Sequence, residues 1–212
     1  MNETKDKCLI GVLGTQNTGK STFIGDVRKR YQGTDNEINQ VGCDYRKKIE
    51  EAGLSINRNG NLLCQQVIME TLLDQICIIS NSPSGNYIMD RTPIDAYVYT
   101  VYLARHNPEL GITSTDLDDM FVRVIASIGS YDKLIYIDLD KCDNVVVVDD
   151  KFRDTNIEYR KEIDSIFKEV LNKLGTINPL QFNDILVSDI YGSREERVEK
   201  FVKMFENINK ER

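Results

Sequence analysis

Two glycines, a lysine and a serine stand at fixed intervals in Gly14-Thr-Gln-Asn-Thr-Gly19-Lys20-Ser21, and residues of these types at this spacing can hold a polyphosphate. Gly14 and Gly19 let the backbone bend until successive N–H groups point inward at phosphate oxygens. Lys20 can bridge the β- and γ-phosphates, and the Ser21 hydroxyl is placed to hold Mg²⁺. Thr15, Asn17, Thr18 and Thr22 are the remaining residues expected to contact the cofactor. The flanks agree: Lys7 to Leu13 reads as a short buried strand, and Lys20 to Tyr31 as a helix whose N-terminus faces the anion.

A second chemical pair is Asp90-Arg91, which follows the apolar Tyr87-Ile88-Met89 and so emerges at the end of a strand. Asp90 can bind Mg²⁺ or take a proton from an attacking hydroxyl, while Arg91 can grip a phosphate. An ion pair or a helix cap before Pro93 would use the same residues. Among the tyrosines that follow, Tyr97 can stack on a base or hold a sugar hydroxyl, although tyrosines at helical spacing commonly belong to a core. Gln65 and Gln66 have the two-sided hydrogen bonding that base edges require, with solvent-facing glutamine as the default.

The elements that must position these groups alternate. After the first strand and helix come a weak strand at 38–42 and a helix over 43–53. A helix from about Leu62 to Ile79 follows, with Leu63, Val67, Leu72 and Ile76 apolar. Thr92 and Pro93 open a helix behind the strand at 86–90. Another helix is expected from Thr113 to Ile128, and LIYIDLD at 134–140 reads as the clearest apolar strand. Val145 to Val148 is a strand or lid arm. A charged helix at 156–174, a strand at 185–188 and a helix at 193–209 complete the chain. Such alternation implies a parallel sheet with helices on both faces.

The chain has 212 residues, 41% of them hydrophobic, which suits one sizeable core with a lid. Five cysteines without a C-x-x-C pair, no signal peptide and no apolar run judged long enough to span a membrane point to a cytoplasmic, reduced protein. The formal charge of −7 does not favour DNA as a partner, and one histidine leaves little scope for histidine-based metal sites.

Gly14 to Ser21 together with Asp90-Arg91-Thr92-Pro93-Ile94-Asp95-Ala96-Tyr97 resembles the P-loop kinases related to nicotinamide riboside kinase domains and to deoxynucleoside and nucleoside monophosphate kinases, several encoded by phages. The resemblance follows the order of elements over most of the chain. It implies a three-layer α/β P-loop NTPase fold, one domain over 1–212 with a small helical lid at about 141–160, and Mg²⁺-dependent transfer of the ATP γ-phosphoryl to a nucleoside or nucleoside monophosphate. Lys20, Asp90, Arg91 and Arg153 would be catalytic, with Ser21 and Asp90 serving the metal. Lys151, Arg153 and Arg160 resemble lid cations that close on the transferring group, where a solvated charged helix is the plainer reading. The stretch from Asp189 to Arg197 would lie by the adenine. Related proteins often carry a glutamate three residues before an arginine after the second strand. Here Cys43 holds that place before Arg46, so Asp44 is the candidate substitute, and Asp44, Arg46, Arg91 and Tyr97 form the expected acceptor set. A kinase acting within DNA or on a 5′ end, a P-loop ATPase or switch, and a homodimer stay open.

Overall fold

The computed structural model describes residues 7–41, 45–142 and 155–211. Its strands are β1 (Lys7–Leu13), β2 (Ile38–Val41), β3 (Gly85–Asp90), β4 (Lys133–Tyr136) and β5 (Leu186–Val187). Its helices are α1 (Lys20–Tyr31), α2 (Tyr45–Glu51), α3 (Leu62–Asn81), α4 (Pro93–His106), α5 (Ser114–Ile128), α6 (Ile157–Ile177), α7 (Pro179–Ile185) and α8 (Arg194–Glu211). All pairings are parallel, in the order β2-β3-β1-β4-β5. The chain fills one side of β1 first and the other side later, so the order reverses at β1, and a crevice opens beyond the carboxyl ends of the strands there.

Helices cover both faces, giving the three layers expected. Helices α3 to α7 pack one core against the sheet, while α1 and α8 pack the other. Helix α4 is apolar or tyrosine-rich almost all round, and every residue from Pro93 to Leu103 is buried, as a helix enclosed by neighbours requires. On the opposite face Phe201 and Phe205 of α8 meet Phe23 and Tyr31 of α1 edge-on.

Four expectations need correction. Strand β4 stops at Tyr136 because the Asp138 side chain accepts from the Asp140 N–H and starts a 3-10 turn at Leu139–Lys141. Helix α7, begun by Asn178 and Pro179, falls where no helix was expected. In α3 Leu72 and Ile76 are buried as expected, but the stripe begins at Cys64 and Ile68, with Val67 half-buried and Leu63 exposed. That helix is also long and apolar enough to cross a membrane by length and composition, although half of its apolar window is buried against the rest of the protein. Of the anticipated lid, Lys141 lies in the 3-10 turn and Arg160 in the first turn of α6. Lys151, Arg153, the 145–148 strand and Asp44 lie outside the described residues.

Close packing at the centre of the sheet demands a glycine. A Cβ on Gly11 would fall 2.7 Å from Thr92 Cγ2 and 2.9 Å from Leu134 Cδ2 and Tyr131 Cε1. Gly11→Ala is therefore expected to lower stability by about 1–3 kcal/mol, read as a lower denaturant midpoint with an unchanged slope; a wild-type midpoint would contradict this packing.

Candidate functional site

The segment after β1 turns through backbone conformations that its glycines permit, with Gly14 at φ 132° and Gly19 at φ 80°. A Cβ on Gly14 would lie 2.7 Å from the Ile137 carbonyl oxygen. Residues 14–18 are buried, so the loop's polar groups need partners within the protein. Thr18 Oγ1 donates to the Thr15 carbonyl at 2.9 Å. Arg160 Nε and Nη2 donate to the carbonyls of Gln16 and Asn17 at 3.2 and 2.8 Å, and Arg197 Nη1 donates to that of Thr18 at 3.1 Å.

Lys20 opens α1 and is 5% exposed. Its Nζ donates to the carbonyls of Gly14 and Thr15 at 2.7 and 2.6 Å. Burial, and then the charge of Arg91, pull its pKa down to about 8 against the opposing carboxylates of Asp90 and Asp95. Ser21 and Thr22 are exposed in the next positions of the helix. The Ser21 hydroxyl donates to Asp90 Oδ2 at 2.6 Å, a contact set up by the β1–β3 register that places Asp90 opposite Val12. Hydroxyl and carboxylate oxygens are the donors that Mg²⁺ takes, so this pair fits the metal.

Arg91 leaves β3 at φ 83° while its N–H donates to the Val12 carbonyl at 2.9 Å. Its guanidinium stands 3.4 Å from Asp95 Oδ1 and 5.6 Å from the Tyr99 ring centroid. Burial alone would lower the Arg91 pKa, but Tyr45, Tyr99, Asp95 and Asp90 together raise it well above its ordinary value. Asp95 is the third helical residue of a capping box, accepting from the Thr92 N–H and hydroxyl at 2.8 and 3.1 Å. Burial raises its pKa, with Arg91 opposing.

Beside this corner lies a pocket of about 380 Å³, part of it open to solvent. Its walls are mainly apolar and aromatic, from Tyr45, Ile56, Ile68, Ala96 and Tyr99; Gln65, Arg91 and Asp95 bring polar groups into it. The Tyr99 hydroxyl donates to Gln16 Oε1 at 3.3 Å and so joins pocket to phosphate loop. Gln65 is 2% exposed, and its Oε1 has no hydrogen-bond partner among the described residues.

The structure brings the loop and the Asp90-Arg91 corner together, and beside them lies a pocket with walls that the sequence did not assemble. Tyr97 packs against Phe121, with ring centroids 5.1 Å apart, and is a core residue; Tyr99, on another side of α4, lines the pocket. Arg46 is half-buried beside the pocket residue Tyr45, 5.9 Å from its ring centroid, and does not itself line the pocket. Arg160 is buried against the phosphate loop instead of standing on an open lid. Tyr45 carries no local signal; Gln65 is marked by its two-sided amide, Arg197 by the stretch that leaves the last strand, and Asp95 as the last residue of Thr92-x-x-Asp95.

The structure is similar to that of a NadR protein in complex with NAD and AMP-PNP, with a TM-score of 0.60 and 16% identity over 91% of this chain and 48% of that one. It is similar in the same way to the deoxyadenosine kinase from M. mycoides with bound dATP, with a TM-score of 0.58 and 17% identity over 94% of this chain and 99% of that one. The fold is that of the P-loop kinases. The chain spans about half the length of the NadR chains it matches. No family model and no curated protein sequence matches it.

Because a bound polyphosphate favours the charged amine, nucleotide binding should take up a proton wherever free Lys20 is neutral. ATP affinity is expected to be flat below about pH 8 and to fall above it, and Lys20→Met should weaken binding and remove the slope. Calorimetry in buffers of different ionisation heat checks this, and a pH-independent wild type would contradict it.

Proposed function

We propose that the chain is an ATP-dependent kinase that phosphorylates a hydroxyl of a nucleoside-type acceptor. The observation that carries this reading is the shared corner: Asp90 bonds Ser21 of the phosphate loop, and the adjacent Arg91 lines a pocket with an unsatisfied, buried amide. A buried acceptor atom left without a partner costs roughly 1–3 kcal/mol, so a ligand N–H is its natural complement. Aromatic walls with the two-sided amides of Asn57 and Gln65 suit a planar base. Arg91 is the one cation lining the pocket among the described residues, and Asp95 already balances it. That arrangement favours an uncharged nucleoside over a monophosphate. The similar structures in complex with nicotinamide and adenine nucleotides, one of them a deoxyadenosine kinase, support the same class.

Mg²⁺, held through Ser21 and Asp90, would supply charge neutralisation between the phosphates. Lys20 leaves its loop carbonyls for the phosphate oxygens, and Arg91 stabilises charge that develops on the transferred group. The Asp90 carboxylate takes the proton of the acceptor hydroxyl as its oxygen bonds the γ-phosphorus and the bond to the leaving ADP breaks, and the apolar pocket walls keep water from competing with that hydroxyl.

Two substitutions test the assignment. Asp90→Asn should lower kcat by roughly a hundredfold or more while ATP affinity changes little. Wild-type turnover would reduce Asp90 to a partner of Ser21. Gln65→Leu should raise the acceptor KM about tenfold or more at an unchanged KM for ATP; an unchanged acceptor KM would place the acceptor elsewhere.

A further inference from the structure

We propose that Arg197 of α8 is a positioning residue for the triphosphate, holding the phosphate loop in its nucleotide-ready bend from behind. This rests on the preceding reading only in that the loop binds ATP; it is independent of the acceptor and of transfer.

The argument starts from the planarity of the peptide unit. In a trans peptide the carbonyl of one residue and the N–H of the next point in opposite directions. Arg160 takes the carbonyls of Gln16 and Asn17, and Arg197 takes that of Thr18. The two guanidiniums thereby fix three consecutive peptide planes and turn the N–H groups of Asn17, Thr18 and Gly19 away from themselves. Three successive N–H groups on one side make an anion-binding concavity.

Arg197 has the more demanding position of the two. It is 6% exposed and also donates from Nε to the Gly192 carbonyl at 3.2 Å, with Nη2 3.6 Å from Cys142 Sγ. One planar group thus ties together the segments that follow β1, β4 and β5. Its planar fork of donors can meet all three at once, which a lysine cannot. Gly19 leaves the room for it: a Cβ there would lie 3.3 Å from Arg197 Nη1. Cys142 Sγ also donates to the Thr18 carbonyl, at 3.7 Å, but a thiol is a weak donor; without the guanidinium the Thr18–Gly19 peptide is held only by that contact and can rotate, because Gly19 accepts either sign of φ. A rotated peptide would aim a carbonyl at the phosphates. Arg197 is therefore a device for orientation and not a catalytic residue.

The test compares Arg197→Met, Arg197→Lys and Asp26→Ala in the full chain. Asp26 lies on α1, and its ion pair with Arg194 ties α8 to α1 without touching the loop. Affinity for Mg²⁺-ATP is measured by calorimetry, thermal stability by melting, and KM separately for ATP and acceptor. Arg197→Met is expected to weaken ATP binding about tenfold or more, with Arg197→Lys intermediate, the acceptor KM unchanged and Asp26→Ala binding ATP as wild type does. Wild-type ATP affinity in Arg197→Met, or equal losses in Arg197→Met and Asp26→Ala, would overturn the proposal, the second by reducing Arg197 to a general anchor of α8. Should Arg197→Met fail to fold, Arg197→Lys decides alone: weakened ATP binding with an unchanged acceptor KM supports the role, and wild-type affinity overturns it. A wild type that binds ATP but transfers to no acceptor refutes the kinase reading and leaves this comparison intact. A wild type that does not bind ATP refutes both.

Discussion

Backbone carbonyls that turn away from a phosphate site must find donors, and in this protein they do so in a dry interior. The loop after β1 is buried from Gly14 to Thr18, so water cannot satisfy its outward oxygens. Arg160 from α6 and Arg197 from α8 supply the donors, one from the helical layer on each face of the sheet. The loop thus depends on the closing of both layers, and a change that loosens either helix is felt in its bend.

The same logic organises the Asp90-Arg91 corner. The left-handed turn at Arg91 ends β3 and keeps the residue's N–H on the β1 carbonyl of Val12, so the corner is fixed by the sheet while its guanidinium meets Asp95 and Tyr99 of α4. Helix α4 has little freedom to shift, enclosed as it is by α3, α5 and α6. A buried carboxylate such as Asp95 is tolerated because Thr92 and Arg91 satisfy it. Pocket and loop meet again through Tyr99 and Gln16, which gives one bonded route between the two candidate substrates.

Local chemistry was legible in the chain, and tertiary phase was not. Gly14, Gly19, Lys20 and Ser21 declare themselves because the bend and the anion need those types at that spacing, and Thr92-Pro93 marks the start of α4 for a similarly local reason. Helix α3 is apolar on nearly every side, so periodicity could not say whether Leu63 or Cys64 faces inward, and the burial of Gln65 followed from that choice. Tyr97 and Tyr99 are equivalent by type and differ only in which neighbour α4 turns them toward. Arg160 sits in a charged first turn that reads as a wet face and Arg197 ends a stretch expected by the adenine, and only the position of the phosphate loop buries them.

The most direct test of the central claim is the release of ADP by the wild-type protein with Mg²⁺-ATP, measured with and without each member of a panel of nucleosides and nucleoside monophosphates. A pocket built to receive an acceptor predicts low release alone and a large increase with at least one uncharged nucleoside, accompanied by one phosphorylated nucleoside per ADP. Equal ADP release with and without every acceptor would contradict it and identify the site as that of an ATPase.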